Sequence, residues 1–111
     1  MTNVKIQTGS HYLLKDLHGT NYGQIVIVQR DDSWIIGKFT ANPAFQSVKQ
    51  LFLNLEEAAN NQIISIIDKL TLKIEDLNLY ICTENSIDCI KVYDVQIMNQ
   101  VDICFKIHQR V

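Results

Sequence analysis

Apolar runs in the first third of the chain predict strands. Residues 4–8 and 12–17 alternate apolar and polar positions, as a strand with one buried face does. Residues 24–29 instead hold a continuous β-branched run, which is typical of a central strand covered on both faces. A charged, turn-forming stretch follows at 30–33, and residues 34–39 complete a predicted hairpin.

Apolar residues in the middle of the chain recur with the period of an α-helix. Asn42 and Pro43 mark its start, because Asn is a favoured N-cap and Pro suits the first helical position. Nine steps of three or four residues then cover 32 positions, a mean near 3.6 residues per step. The residues of this stripe are Phe45, Val48, Phe52, Leu55, Ala59, Ile63, Ile66, Leu70, Ile74 and Leu77.

The length of this segment leaves two alternatives open. One unbroken helix over 43–77 would be ~50 Å long, whereas a compact domain of this size has a radius of gyration of about 13 Å. Either Asn60 and Asn61 break the segment into helices at about 43–59 and 61–77, or a second copy covers one long helix. We expect the break, with Asn61 capping the second helix, although the continuous phase of the stripe favours the long helix.

The last third predicts three strands, at residues 79–83, 87–98 and 101–107. Asn78 suits the left-handed position at a helix end. Val95 can share a face with the apolar residues of the last strand only if the loop before that strand has three residues or a bulge is present. This register places Asp94 near Lys106. The prediction is therefore one α+β domain over residues 1–111: an antiparallel sheet of N-terminal strands plus a C-terminal three-stranded meander, with one long or two shorter helices packed on one face.

Composition and charge narrow the class of protein. The 111 residues are 47% hydrophobic with a net charge of −2, which is too apolar for a disordered chain and lacks the basic patch that nucleic-acid binding needs. No apolar run approaches the ~18 to 20 residues that span a bilayer, and the start shows no signal-peptide pattern. We therefore expect a cytoplasmic protein with neither a nucleic-acid nor a membrane partner.

Three cysteines, Cys82, Cys89 and Cys104, bear on the redox state. An odd number without an export signal argues against a disulfide framework, and the spacings match neither zinc knuckles nor a Cys-x-x-Cys motif. We expect buried, reduced cysteines of ordinary structural role.

All four glycines and the one proline precede residue 44, so any loop that approaches a ligand belongs in the first third. Residue types able to do chemistry cluster between Gly9 and Gly23, where the candidates for a ligand site are His11, Asp16, His18 and Tyr22. A strand over 12–17 would hold the two histidines ~23 Å apart, too far to share a metal ion. An ordinary exposed turn is the competing interpretation, and we predict no catalytic residue, metal or cofactor.

The second half of the helical segment is apolar around much of its circumference. One sheet face cannot cover that surface, which favours burial against another chain. The candidate interface residues are Ile63, Ile64, Ile67 and Leu72, with Trp34 as a candidate anchor on the hairpin. The leading functional hypothesis is a noncatalytic protein-interaction module, homodimeric or bound to another protein. The alternatives are a small enzyme or ligand-binding domain that uses the Gly9–Gly23 loop, and an immunity or antitoxin-like inhibitor.

Overall fold

A computed structural model describes residues 6–31, 33–85 and 88–107, and it confirms the α+β class. The strands in these ranges are β1 (His11–Lys15), β2 (Asn21–Asp31), β3 (Trp34–Ala41), β4 (Tyr80–Cys82), β5 (Cys89–Lys91), β6 (Tyr93–Met98) and β7 (Asp102–Lys106). They form a curled antiparallel sheet with the order β5-β4-β1-β2-β3-β7-β6, and two helices pack against it. The helices are α1 (Lys49–Asn60) and α2 (Ile64–Glu75).

The strand predicted to be central does lie at the centre, because β2 is the fourth of seven strands. Its Ile25 and Ile27 are buried on the inner face, but Val28 is exposed, so the expectation that both faces are covered is wrong. The predicted hairpin with β3 is present. The strand predicted at 4–8 lies partly outside the described residues, and its described part, 6–8, is not a strand.

The helical segment breaks where the two asparagines predicted it. Asn61 ends α1, Gln62 takes a left-handed conformation with φ 56°, and Ile63 precedes α2. Asn61 therefore does not cap the second helix, which corrects that part of the prediction. Pro43 begins a 3₁₀ turn over Pro43–Ser47 rather than an α-helix. Each 12-residue helix is then ~18 Å long, which fits a domain with a radius of gyration of 13.5 Å.

The core lies between the helices and the inner face of the sheet. Phe45, on the 3₁₀ turn, joins the two layers, since its ring lies 5.0 Å from Phe39 of β3 and 5.8 Å from Phe52 of α1 between ring centroids. From α2, Leu70 and Ile74 are buried. Strand residues such as Ile81 of β4 and Phe105 of β7 complete the core from the two halves of the sheet that flank β2.

The C-terminal part differs from a three-stranded meander. Its described residues form four strands in two hairpins, of which β4–β5 extends the sheet beyond β1 and β6–β7 extends it beyond β3. The predicted strand at 87–98 is interrupted at Val92, which is buried and donates its N–H to the Leu79 carbonyl at 3.1 Å. Because β5 ends at Lys91 and β6 begins at Tyr93, the chain passes from one edge of the curled sheet to the other at this residue.

The predicted irregularity between the last two strands is confirmed. Met98 pairs with Asp102 across a three-residue loop, and the pairing of the two strands shifts register between Tyr93 and Gln96. Asp94 Oδ2 lies 3.8 Å from Lys106 Nζ, as predicted from the register. Asn78 also has the expected left-handed conformation, with φ 53°.

The expectation of three reduced cysteines is wrong for two of them. Cys82 at the end of β4 forms a disulfide with Cys89 at the start of β5, and Cys104 on β7 is a free, half-buried thiol. The two bonded residues stand opposite each other in the β4–β5 pairing. Cysteines that stand opposite each other on paired strands can form a disulfide whether the chain has an odd or an even number of cysteines. The odd number was therefore no evidence against this bond.

No helix in the described ranges is both long enough and apolar enough to cross a membrane.

Candidate functional site

Two of the four predicted ligand-site residues meet at the turn between β1 and β2. The Tyr22 hydroxyl donates a hydrogen bond of 2.7 Å to Asp16 Oδ2. Asp16 Oδ1 accepts the backbone N–H groups of His18 and Thr20 at 2.9 and 3.0 Å. One carboxylate oxygen therefore binds backbone donors of the turn, and the other binds a side-chain donor at the start of β2.

These contacts move the pKa values of both groups. Burial by itself would raise the pKa of Asp16, but the hydrogen bonds from Tyr22, Thr20 and His18 outweigh it and hold that pKa below its ordinary value. Burial, with the hydrogen bond to Asp16 and the charge of that carboxylate, raises the pKa of Tyr22 to about 12. Asp16 is thus kept as a carboxylate and Tyr22 as a neutral donor, which suits a structural pair better than an acid and base poised near neutral pH.

The two histidines do not join this pair. His11 begins β1, where its Nδ1 lies 3.2 Å from Gln24 Nε2, whereas His18 lies in the turn beyond the other end of the strand. The strand alone separates their positions by ~13 Å, and both side chains are exposed. Over the described ranges, no three His, Cys, Asp or Glu residues are grouped so as to hold a metal ion.

The helical candidates divide into exposed and half-buried residues. Ile64 and Leu72 are 66% and 67% exposed, and Ile63 is 39% exposed at the start of α2. Ile67 is half-buried against the core. Trp34 is also half-buried, on β3, with Lys106 Nζ 4.6 Å from the centroid of its ring.

The exposed residues surround α2 rather than forming one seam. Ile64 and Leu72 are separated by two steps of four residues, so they lie on one ridge of the helix with Asp68 between them. Ile66, which sequence reasoning placed on the stripe but not at the interface, is exposed on the other flank. There it borders an open groove of about 290 Å³ between α1 and α2, floored by Ala58 and Leu70.

Both edges of the sheet are poor surfaces for adding another strand. β5 is only three residues long. On β6, a register shift and the left-handed Asp94 (φ 52°) interrupt the edge. Glutamates of the two helices also accept hydrogen bonds from backbone N–H groups there. Glu75 Oε1 of α2 accepts the Asp94 N–H at 3.2 Å, and Glu56 of α1 accepts the Asn99 N–H just beyond β6 at 3.1 Å. Interruptions of this kind discourage edge-to-edge pairing.

None of the protein-family models, curated proteins or solved structures compared with the chain matches it. The geometry of the described residues is therefore the basis for any functional proposal.

Proposed function

We propose that this protein is a noncatalytic interaction module that self-associates through α2. The observation that carries the proposal is the exposure of Ile64 and Leu72, two aliphatic residues that each leave about two thirds of their surface in solvent. Single exposed apolar residues are common, but these two lie on one ridge of the same helix, and apolar patches of this kind are typical of interaction surfaces.

A second copy of the chain suits the ridge formed by Ile64, Asp68 and Leu72. If two α2 helices pack antiparallel around a two-fold axis near Asp68, Ile64 of each copy meets Leu72 of the other, because both are four residues from the axis. Each Asp68 then lies near Lys69 of the other copy, which offsets the repulsion between the two aspartates. The ridge is therefore self-complementary in shape, with the Asp68 pair as its one unfavourable charge contact.

The expected dimer is weak. Fully burying an Ile or Leu side chain contributes about 1.5 to 3 kcal/mol, so two residues per copy, each two-thirds exposed at the start, contribute roughly 4 to 8 kcal/mol. Association costs roughly 4 to 15 kcal/mol in lost freedom before other contacts are counted. Ile63 and Ile66 border the groove on the other flank of α2, so they add no burial to this contact. The net gain is therefore at most about 4 kcal/mol, and we expect a dissociation constant of ~1 mM.

Helix pairing is preferred here to strand addition because of the sheet edges. A partner strand at β6 would have to displace Glu56 and Glu75 from the backbone donors they bind, whereas α2 needs no such rearrangement.

The proposed location is the cytoplasm, which fractionation of the source cells with antibody detection would test.

Analytical ultracentrifugation tests the self-association. Over concentrations from ~10 µM to ~1 mM, the wild-type mass should rise above 12.8 kDa towards the dimer value. Leu72→Glu should keep the monomer mass at every concentration, since a carboxylate at the contact would be buried without a partner.

Leu17→Glu is the matched control, because Leu17 is 62% exposed but lies in the β1–β2 turn, away from α2. It should associate as the wild type does. A wild type that stays at 12.8 kDa at the highest concentration would overturn the proposal, and so would equal effects of the two substitutions.

A further inference from the structure

The Cys82–Cys89 disulfide joins the last residue of β4 to the first residue of the edge strand β5. The two residues stand opposite each other with Cα atoms 4.1 Å apart. Cys82 is 2% exposed, whereas Cys89 is exposed. The bond is therefore approachable from one side, at Cys89.

An open hollow of about 320 Å³ lies against this bond. Both cysteines line it, together with Lys15, Asp16, Leu17, Gly19 and Tyr80. A hollow of this volume admits a small dithiol or the exposed thiol of another protein. The exposed Leu17 offers that reagent an apolar contact.

The disulfide is one of the restraints that attach β5 to β4. β5 has three residues, Cys89–Lys91, and β4 is its sole neighbour in the described sheet. Beyond the strand ladder, the Thr83 N–H donates to the Asp88 carbonyl at 2.9 Å, the Val92 N–H donates to the Leu79 carbonyl at 3.1 Å, and Lys91 Nζ donates to Asn78 Oδ1 at 3.4 Å. Short edge strands with few ladder bonds open more readily than central strands, and the disulfide is the covalent restraint added to these hydrogen bonds.

We propose that Cys82–Cys89 is a site of thiol–disulfide exchange that takes a dithiol reductant, and that its reduction releases β5 from β4. A thiolate of the dithiol attacks Cys89 Sγ and forms a mixed disulfide, while Cys82 Sγ leaves as a thiolate and takes up a proton. The second thiolate of the dithiol then attacks the dithiol's first sulfur, which is bonded to Cys89 in the mixed disulfide. Cys89 Sγ leaves as a thiolate and is protonated. The protein gains two electrons and two protons, and the dithiol becomes a disulfide. In a reducing compartment, disulfides are usually transient in this way.

Cys104 takes no part in the exchange. It lies on β7, four strand spacings from β4, or ~19 Å measured along the sheet. Burial raises the pKa of its thiol, which lowers the fraction of reactive thiolate. The reduced product therefore has a Cys82–Cys89 thiol pair, and Cys104 serves as an internal reference.

The test combines thiol trapping with amide hydrogen exchange on the native protein. Under native conditions, dithiothreitol should allow alkylation of Cys82 and Cys89, and exchange at Cys89–Lys91 should quicken by about tenfold or more while β2 and β3 keep their protection. The double variant Cys82→Ser, Cys89→Ser should show this pattern without reductant. Cys104→Ser should respond to dithiothreitol as the wild type does.

Two results would overturn the proposal. One is a disulfide that dithiothreitol reduces only in urea concentrations that unfold the whole chain. The other is unchanged exchange in β5 after complete reduction. Neither readout depends on the oligomeric state, so this proposal stands or fails independently of self-association.

Discussion

The Tyr22 hydroxyl donates a 2.7 Å hydrogen bond to the Asp16 carboxylate across the β1–β2 turn. The same carboxylate accepts backbone N–H groups of His18 and Thr20, so one side chain ties the turn to the start of β2. Tyr22 is buried and Asp16 is half-buried. The bond is charge-assisted and partly shielded from solvent, which makes its contribution measurable.

Removing the hydroxyl should destabilise the fold modestly. We expect Tyr22→Phe to lower the free energy of unfolding by about 1.5 kcal/mol, the usual contribution of a hydrogen bond to a charged group. Urea titration measures it. In a cycle with Asp16→Asn, the double variant should lose less than the two single losses combined; strict additivity would show that the two side chains are not coupled.

The same pair predicts the pH dependence of stability. Because the pKa of Tyr22 rises from 10.0 to about 12 on folding, its contribution is complete below pH ~10 and is lost as the pH rises towards ~12. The lowered pKa of Asp16 acts at acidic pH. The contribution of Asp16 to stability is present above its ordinary pKa of 3.8 and is lost as the pH falls through the folded-state pKa. Urea midpoints of the wild type should fall between pH ~10 and ~12 more steeply than those of Tyr22→Phe, and equal slopes would contradict the assignment.

Glycine substitutions at the helix junction should have opposite signs at adjacent positions. Gln62 has φ 56°, which strains a side chain, so Gln62→Gly should raise the free energy of unfolding by about 0.5 to 1 kcal/mol. Asn61 has φ −93°, so Asn61→Gly should lower it by a similar amount. Thermal or urea unfolding distinguishes the two alternatives left open by the sequence, since in a continuous helix both substitutions would destabilise.

The disulfide should contribute to global stability as well as to the attachment of β5. Closing a loop between residues seven positions apart is worth about 2 kcal/mol, so the double variant Cys82→Ser, Cys89→Ser should lose about that much in urea unfolding. Cys104→Ser removes a half-buried free thiol and should lose less than about 1 kcal/mol. A smaller loss in the double variant than in Cys104→Ser would show that the bond does not restrain the unfolded chain.

Local patterns in the sequence determined the elements of this fold. The helical period and the two adjacent asparagines predicted both helices and the break between them, because periodicity and backbone preference act over a few residues. Alternation on the last two strands was enough to predict the irregular register and the approach of Asp94 to Lys106. The exposure of Ile64 and Leu72 also followed from the excess of apolar positions around α2.

Only the tertiary structure decided which distant segments meet. It separated the C-terminal strands into hairpins on opposite edges, since pairing with β1 or with β3 is a choice between surfaces far apart in sequence. It brought Asp16 to Tyr22 while leaving His11 at the far end of β1. It also joined Cys82 to Cys89, which are seven positions apart in the sequence. The two cysteines come into contact only when β4 and β5 pair in register, and register depends on the neighbouring strands of the assembled sheet.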